Sequence, residues 1–126
     1  ILAIELFVTK DERVIVNELA PRPHNSGHYT IEACSFDQFD AHIRGIAGWP
    51  LEQPELLKPA VMVNVLGQHV APTRALIAEH PEWNMHDYCK AEVRHDRKMG
   101  HITVLTDDTR QTVADLERTG CWDDLK

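Results

Sequence analysis

The segment that decides the fold comprises residues 1–28, ILAIELFVTKDERVIVNELAPRPHNSGH. Two apolar runs, 1–8 and 14–19, are rich in β-branched and aromatic residues and are separated by a polar turn at 11–13. Apolar runs joined in this way are typical of an antiparallel β-hairpin. Side chains alternate along a strand, so Glu5 is expected on the face opposite to its apolar neighbours.

The hairpin is followed directly by residues 21–28, Pro-Arg-Pro-His-Asn-Ser-Gly-His. Each proline fixes φ, removes a backbone donor and disfavours helix in the residue before it, so this segment is predicted to be a stiff loop. Polar loops held by a rigid scaffold are common locations for ligand binding.

The rest of the chain predicts alternating helices and strands. Ser35 is the expected N-cap of a helix with an apolar face, which ends at 48–50, and the Pro-containing residues 53–59 form a connector. The following elements are then expected: a strand over 60–67, a helix over 73–80, strands over 86–93 and 98–105, and a helix over 109–119 capped by Asp107 or Asp108. The fold class is therefore α+β, with one unit over 1–54 and a small β-rich unit over 59–126.

Composition excludes several classes of protein. The chain has 43% hydrophobic and 26% charged residues and a net charge of −7, which is typical of a soluble globular protein and unfavourable for a general nucleic-acid binder. No apolar run approaches the length of a membrane span, and no secretory signal is evident. Three widely spaced cysteines without a CxxC pair favour a reducing, cytoplasmic location. Because the chain opens inside a strand, we expect it to be a fragment of a larger protein.

Two glutamates lie within the apolar runs of the predicted hairpin. Glu5 and Glu18 are on different strands, and Asn17 lies beside Glu18. A carboxylate in such a run is costly to bury unless it is paired or bound to metal, and carboxylate and amide oxygens suit Mg²⁺. The alternative is that both glutamates face solvent on a half-exposed hairpin.

The loop over 22–28 offers a fixed cation at Arg22 and imidazoles at His24 and His28. Such a set suits a small planar anion, because arginine supplies a rigid fork and histidine transfers protons near neutral pH. The spacing of the two histidines would suit zinc on a helix, but the prolines disfavour a helix here. An ordinary surface loop is the alternative.

A basic turn is predicted between the last two strands. Lys90, Arg94, Arg97 and Lys98 outnumber Glu92 and Asp96 there, in a chain that is acidic as a whole. This balance suits a phosphate monoester, although an ordinary solvated turn remains the alternative. Neither a GxGxxG nor a Walker A sequence is present.

Taken together, segments 5–8, 16–28, 88–90 and 97–101 resemble the 5-(carboxyamino)imidazole ribonucleotide synthase family, ATP-grasp carboxylases of purine biosynthesis. The Asn-Glu-x-x-Pro-Arg-Pro-His-Asn-Ser-Gly-His run is highly specific, and the resemblance extends over nearly the whole chain. It implies that residues 1–54 are the C-terminal part of an ATP-grasp domain and that 59–126 are a small C-terminal domain. The N-terminal domain and the ATP-grasp lid of the family are absent, so the fragment alone is expected to be inactive.

The resemblance also implies a reaction in which ATP phosphorylates bicarbonate to carboxyphosphate, which carboxylates the amine of 5-aminoimidazole ribonucleotide. The full-length enzyme is expected to be a homodimer. In one respect the chain departs from the family, since Cys89 stands where the family usually has glycine. The implied roles are as follows: Glu5 and Glu18 as Mg²⁺ ligands, Asn17 and Glu18 toward ATP, Arg22 and His24 in catalysis, Asn25 and Ser26 in substrate binding, and Lys90, Arg97 and Lys98 on the ribonucleotide phosphate.

Two other functions stay open at this point. One is a related ATP-grasp ligase of purine synthesis that uses formate and shares the metal pair. The other is a metal- or phosphate-binding module without catalysis. Bicarbonate-dependent ADP formation would distinguish the first from the carboxylase, and metal analysis would test the second.

Overall fold

The computed structural model describes residues 1–123 and divides into two compact units, Ile1–Leu56 and the part from Leu57 onward. The expected α+β class is confirmed, because helices accompany purely antiparallel sheets. The first unit contains β1 (Ala3–Val8), β2 (Val14–Ala20), a 3₁₀ turn (Asn25–Gly27), α1 (Thr30–Ala33) and α2 (Gln38–Ala47). The second contains β3 (Ala60–Leu66), α3 (Val70–Leu76) between 3₁₀ turns at Gly67–His69 and Ile77–Glu79, β4 (Asn84–Asp87), β5 (Lys98–Leu105) and α4 (Thr109–Arg118).

The predicted hairpin is present, and β1 pairs with β2 in antiparallel register. Glu5 pairs with Glu18, whereas the next residue, Leu6, pairs with Val16, so Asn17 is an extra residue on β2. Such a β-bulge re-aims side chains and is over-represented beside active sites. Most apolar side chains of the hairpin are exposed in this chain, so the ladder and cross-strand pairs rather than burial hold the two strands.

Helix α2 begins at a different cap from the one predicted. The carboxylate of Asp37 accepts the backbone N–H groups of Phe39 and Asp40 at 2.7 and 2.9 Å, which makes Asp37 the N-cap. The hydroxyl of Ser35 instead accepts the backbone N–H of Glu55 at 3.0 Å. The predicted end is correct, because Gly48 adopts a left-handed conformation with φ of 66°.

The second unit is built on a three-stranded sheet in the order β3-β5-β4. Strand β5 lies in the centre, and its residues from Met99 to Val104 are buried. Helix α4 is capped by Asp108, one of the two residues predicted for this role. Beyond the helix the chain turns at Gly120, which has a φ of 73°. The core of this unit comprises Val65, Val70, Trp83, Met99, Ile102, Val104, Leu116, Cys121 and Trp122.

Two predicted elements have different bounds in the structure. Helix α3 begins at Val70, three residues before the predicted start, because Pro72 falls in the first turn, where its missing N–H needs no partner. The strand predicted over 86–93 is instead Asn84–Asp87, and it ends there since Cys89 adopts a φ of 51° that no strand accommodates. Within residues 1–123 no helix has the length and apolarity needed to cross a lipid bilayer.

Candidate functional site

The register of the hairpin brings the two predicted metal ligands together on one face. Glu5 and Glu18 are direct cross-strand partners, and side chains in such positions have Cβ atoms about 5 Å apart. The bulge adds Asn17 to the same site, because its Nδ2 donates to Oε2 of Glu5 at 2.6 Å. Like charges directly opposite each other destabilise a sheet, so this pair lowers the stability of the hairpin.

The carboxylates are not buried within this chain, and the side chain of Glu18 is 46% exposed. Glu18 faces the first residues of the polar loop. Its two oxygens lie 3.7 Å from a terminal nitrogen of Arg22 and 3.8 Å from Nε2 of His24. The predicted acidic pair and the predicted anion loop therefore form one continuous polar site.

The side chain of His24 is largely enclosed, with 13% of it exposed. Its Nδ1 lies 2.8 Å from Oγ of Ser26 and accepts the backbone N–H of Ser26 at 3.4 Å. A backbone N–H can only donate, so Nδ1 is the acceptor and the proton of the neutral ring lies on Nε2, facing Glu18. Asn25 and Ser26 belong to the 3₁₀ turn that His24 caps.

A residue that the sequence pattern did not single out as functional organises the loop. The carboxamide of Gln38, in the first turn of α2, bonds both to the backbone of His24 and to the ring of His28. These contacts span 14 and 10 residues, which no local pattern reports. The sequence feature that could have indicated this role is the position of Gln38, a polar residue directly after the helix cap.

The predicted phosphate residues lie in the second unit, in the segment that joins β4 to β5 and at the start of β5. Nζ of Lys90 donates to the backbone oxygen of Lys98 at 2.6 Å and lies 5.5 Å from the centre of the Tyr88 ring. The guanidinium of Arg97 is exposed and contacts the backbone oxygen of Glu92 at 3.4 Å. Arg94, in contrast, is paired with the carboxylate of Glu92.

Contacts with the 3₁₀ turn at Gly67–His69 and with β4 hold this segment in place. The carboxamide of Gln68 donates to Asp96 at 3.0 Å and accepts its backbone N–H at 2.9 Å. Asp87 accepts the backbone N–H of Cys89 at 2.8 Å and pairs with Arg74 at 2.5 Å. The Arg74 guanidinium, together with that backbone N–H, lowers the pKa of Asp87 below its usual value.

Among residues 1–123 no group of three or more histidine, cysteine, aspartate or glutamate side chains is arranged to hold a metal ion. The acidic site of the hairpin offers two carboxylates and one amide. Such a partial oxygen shell is typical of Mg²⁺ sites that are completed by water and substrate phosphates.

Comparison with known families agrees with the division of the chain into two units. Residues 1–39 match the model of the ATP-grasp domain, and residues 60–115 match that of the phosphoribosylaminoimidazole carboxylase C-terminal domain. The fold and the site thus define part of an ATP-grasp protein with a carboxylase-type C-terminal domain.

Individual relatives identify the family. The chain is 53% identical over 110 residues to N5-carboxyaminoimidazole ribonucleotide synthase of Staphylococcus saprophyticus, covering 86% of this chain and 29% of that protein. The crystal structure of N5-carboxyaminoimidazole synthetase from Staphylococcus aureus complexed with ADP matches with a TM-score of 0.88 at 50% identity, over 92% of this chain and 31% of that one. The chain belongs to this family of synthases, as its motifs predicted, and spans about 30% of the length of the curated relatives it matches.

A more distant structure carries both types of ligand. The N5-carboxyaminoimidazole synthase from Aspergillus clavatus, in complex with ADP and 5-aminoimidazole ribonucleotide, matches with a TM-score of 0.80 at 34% identity. The match covers 92% of this chain and 33% of that one. Both units of the present chain are thus represented in a relative solved with a nucleotide and a ribonucleotide.

Proposed function

We propose that the protein containing this chain is an ATP-dependent carboxylase that converts 5-aminoimidazole ribonucleotide and bicarbonate to N5-carboxyaminoimidazole ribonucleotide. The observation that carries the proposal is the continuous site formed by Glu5, Glu18, Arg22 and His24. It combines ligands for a cation with groups that bind a small anion, which a reaction between ATP and bicarbonate requires. The names of relatives support the ribonucleotide product, and the complexes of relatives with ADP, ATP and 5-aminoimidazole ribonucleotide support those two substrates.

Glu5 and Glu18 are the proposed ligands of Mg²⁺, with Asn17 in support. Their oxygens fit this ion, because Mg²⁺ prefers hard oxygen donors and is usually held by one or two carboxylates together with substrate phosphates. When bound, Mg²⁺ neutralises charge on the transferring phosphoryl group. Glu5→Gln and Glu18→Gln are expected to raise the Mg²⁺ concentration needed for half-maximal ADP formation.

Arg22 and His24 are proposed to act on bicarbonate. Arg22 keeps its charge at every physiological pH and would hold the carbonate anion by its planar fork. His24 presents Nε2–H on the Glu18 side of its ring, where it can donate to an oxygen that becomes negative and handle a proton on bicarbonate or on the substrate amine. Asn25 and Ser26 would contribute amide and hydroxyl groups to substrate binding.

The proposed chemistry has two steps. An oxygen of bicarbonate attacks the γ-phosphorus of ATP, ADP leaves, and carboxyphosphate forms. The exocyclic amine of the ribonucleotide then takes up the carboxyl carbon, phosphate leaves, and the nitrogen loses a proton. A loop that holds its donors in place beforehand favours both steps, because charge shifts among the carboxyl oxygens during the reaction and donors that are already placed need not reorganise.

The basic segment of the second unit is proposed to bind the 5′-phosphate of the ribonucleotide. Lys90, Arg97 and Lys98 would supply the positive charges, and the contact of Lys90 with the backbone of Lys98 restrains its long side chain. Pre-ordering of this kind reduces the entropy lost on binding.

The function is tested on the full-length protein by measuring ADP release. We expect release to require bicarbonate and 5-aminoimidazole ribonucleotide together, and formate not to replace bicarbonate. Formate-dependent turnover would favour the related ligase instead. Metal or phosphate binding without any ADP release would favour a module without catalysis.

The roles of the loop residues are tested by Arg22→Ala and His24→Ala. Each is expected to reduce carboxylation by about 10²-fold or more, the usual effect of losing an acid–base or oxyanion contact, while ATP affinity is retained. Thermal melts serve as the control, since residues that only brace the loop would lower stability together with activity. Normal activity of His24→Ala would remove this residue from the mechanism.

Arg97→Ala tests the phosphate site, with Arg94→Ala as the matched control in the same segment. Loss of a charge-assisted contact costs about 1.5–3 kcal/mol, which corresponds to an increase of roughly 10- to 150-fold in KM for the ribonucleotide. The KM for ATP should stay unchanged, and Arg94→Ala should alter neither constant because Arg94 is paired with Glu92. An equal change in both constants for Arg97→Ala would contradict the assignment.

We further infer a cytoplasmic enzyme that acts as a homodimer. Cys34, Cys89 and Cys121 are free thiols, as a reducing compartment favours. Light scattering of the full-length protein tests the dimer, and a monomer at working concentration would contradict it.

A further inference from the structure

The carboxamide of Gln38 connects helix α2 to the polar loop through three hydrogen bonds. Its Oε1 accepts the backbone N–H of His24 at 2.9 Å, and its Nε2 donates to the backbone oxygen of the same residue at 2.8 Å. The third contact joins Nε2 to Nδ1 of His28 at 2.7 Å. One side chain therefore holds both the main chain of one loop histidine and the ring of the other.

The backbone groups determine the orientation of this amide. A backbone N–H can only donate and a carbonyl oxygen can only accept, so Oε1 and Nε2 of Gln38 cannot exchange places. The second hydrogen on Nε2 is therefore the one that points to His28. It follows that Nδ1 of His28 is an acceptor and that the proton of the neutral ring lies on Nε2.

The surroundings of the amide hold it in this position. Phe39, the next residue of α2, stacks on the His28 ring with centroids 5.5 Å apart. A Cβ atom at Gly27 would lie only 2.6 Å from Oε1 of Gln38, so the amide can keep this position only while residue 27 is glycine. The hydroxyl of Thr30 donates to the backbone oxygen of Gly27 and accepts the backbone N–H of Gln38 at 3.1 Å.

We propose that Gln38 is the positioning residue that fixes the main chain of His24, and with it the direction of the His24 ring, for the reaction of bicarbonate. The proposal rests on the proposed function of the loop. Gln38 acts on the loop through its hydrogen bonds with the backbone of His24 and the ring of His28. Misplacement of a reacting group by about 1 Å costs on the order of 10²-fold in rate, which sets the scale of the expected effect.

The first readout is the protonation pattern of the histidine rings, measured by ¹⁵N NMR on ring-labelled protein. Wild-type His28 should show an acceptor Nδ1 and a protonated Nε2. Gln38→Glu replaces the donor by a carboxylate, so a proton should move onto Nδ1 of His28. Gln53→Glu is the matched control, because it adds the same charge at an exposed position of the same unit and should leave the ring unchanged.

A second variant reaches the amide from the loop side. Gly27→Ala should push the flexible end of Gln38 away and release Nδ1 of His28, without altering any functional group of the loop. Gln38→Met removes all three hydrogen bonds at similar side-chain volume. It should change the His28 spectrum in the same way as Gly27→Ala, because Nδ1 of His28 loses its donor in both variants. Unchanged His28 spectra in both Gly27→Ala and Gln38→Met would overturn the proposal.

The second readout is kinetic and uses the full-length enzyme. Gln38→Met is expected to lower kcat for carboxylation by about 10- to 100-fold and to leave KM for ATP unchanged. Normal kcat together with an altered His28 spectrum would overturn the positioning role. If the wild type releases no ADP in response to bicarbonate, the proposed function fails instead, and the NMR result still reports whether Gln38 fixes the loop.

Discussion

Replacing Cys89 by glycine should stabilise the second unit, because Cys89 has a backbone conformation that favours glycine. Its φ is 51°, its side chain is exposed, and its thiol contacts the backbone oxygen of Asp87 at 3.6 Å. A left-handed conformation costs a residue with a Cβ about 1–2 kcal/mol. The hydrogen bond from the Cys89 N–H to Asp87 at 2.8 Å holds the residue there and is kept in the variant.

The net gain is smaller than the strain that is relieved. Glycine has more freedom in the unfolded chain, which offsets about 0.4–1 kcal/mol of the gain. The expected increase in the free energy of unfolding is therefore about 0.5–1 kcal/mol, or roughly 2–8 °C in Tm for a domain of about 60–100 residues. Urea titration followed by tryptophan fluorescence measures it, because Trp83 and Trp122 lie in the core of this unit.

Cys89→Ala is the control that separates the backbone from the thiol. Alanine keeps the Cβ and its strain, so this variant should remain within about 0.5 kcal/mol of the wild type. Equal stabilisation by alanine and glycine would show that removal of the thiol is responsible. A loss of stability in Cys89→Gly would refute the strain argument.

Three further predictions concern the core, acid stability and local opening. The hydroxyl of Thr103 is fully buried with no hydrogen-bond partner in the described residues, so Thr103→Val should raise the free energy of unfolding by about 1 kcal/mol. Thr112→Val loses two hydrogen bonds and should lower the free energy of unfolding, and urea titration distinguishes the two variants. The pKa of Asp87 is lowered by Arg74, so ionised Asp87 stabilises the folded state above the unfolded pKa of about 3.9, and this stabilisation is lost as pH falls through the folded pKa. Unfolding midpoints measured at acidic pH should therefore fall less with pH in Asp87→Asn than in the wild type. Identical pH profiles for the two proteins would contradict the assignment. Hydrogen exchange should be faster in the exposed hairpin β1–β2 than in the buried strand β5, and equal protection would mean that the hairpin is covered in solution.

Local chemistry determined the parts of the fold that the sequence predicted well. Alternating apolar runs around a polar turn specify a hairpin, and residues such as Asp108 and Gly48 begin and end helices through their own side-chain or backbone properties. The family was also evident in the sequence, because the motif over 17–28 concentrates its specific residues in one segment. Ser35 was the wrong cap for the opposite reason: its hydroxyl is used by Glu55, 20 residues away.

Only the tertiary structure decided how the candidate site is assembled. Alternation within a strand does not encode which residues of two strands are opposite, so the pairing of Glu5 with Glu18 depends on the bulge at Asn17. The contacts of Gln38 with the loop and the left-handed backbone of Cys89 likewise arise from packing and from hydrogen bonds to residues beyond the local window. Sequence propensity is set by neighbours along the chain, whereas register, bulges and long-range hydrogen bonds are set by what the folded chain brings into contact.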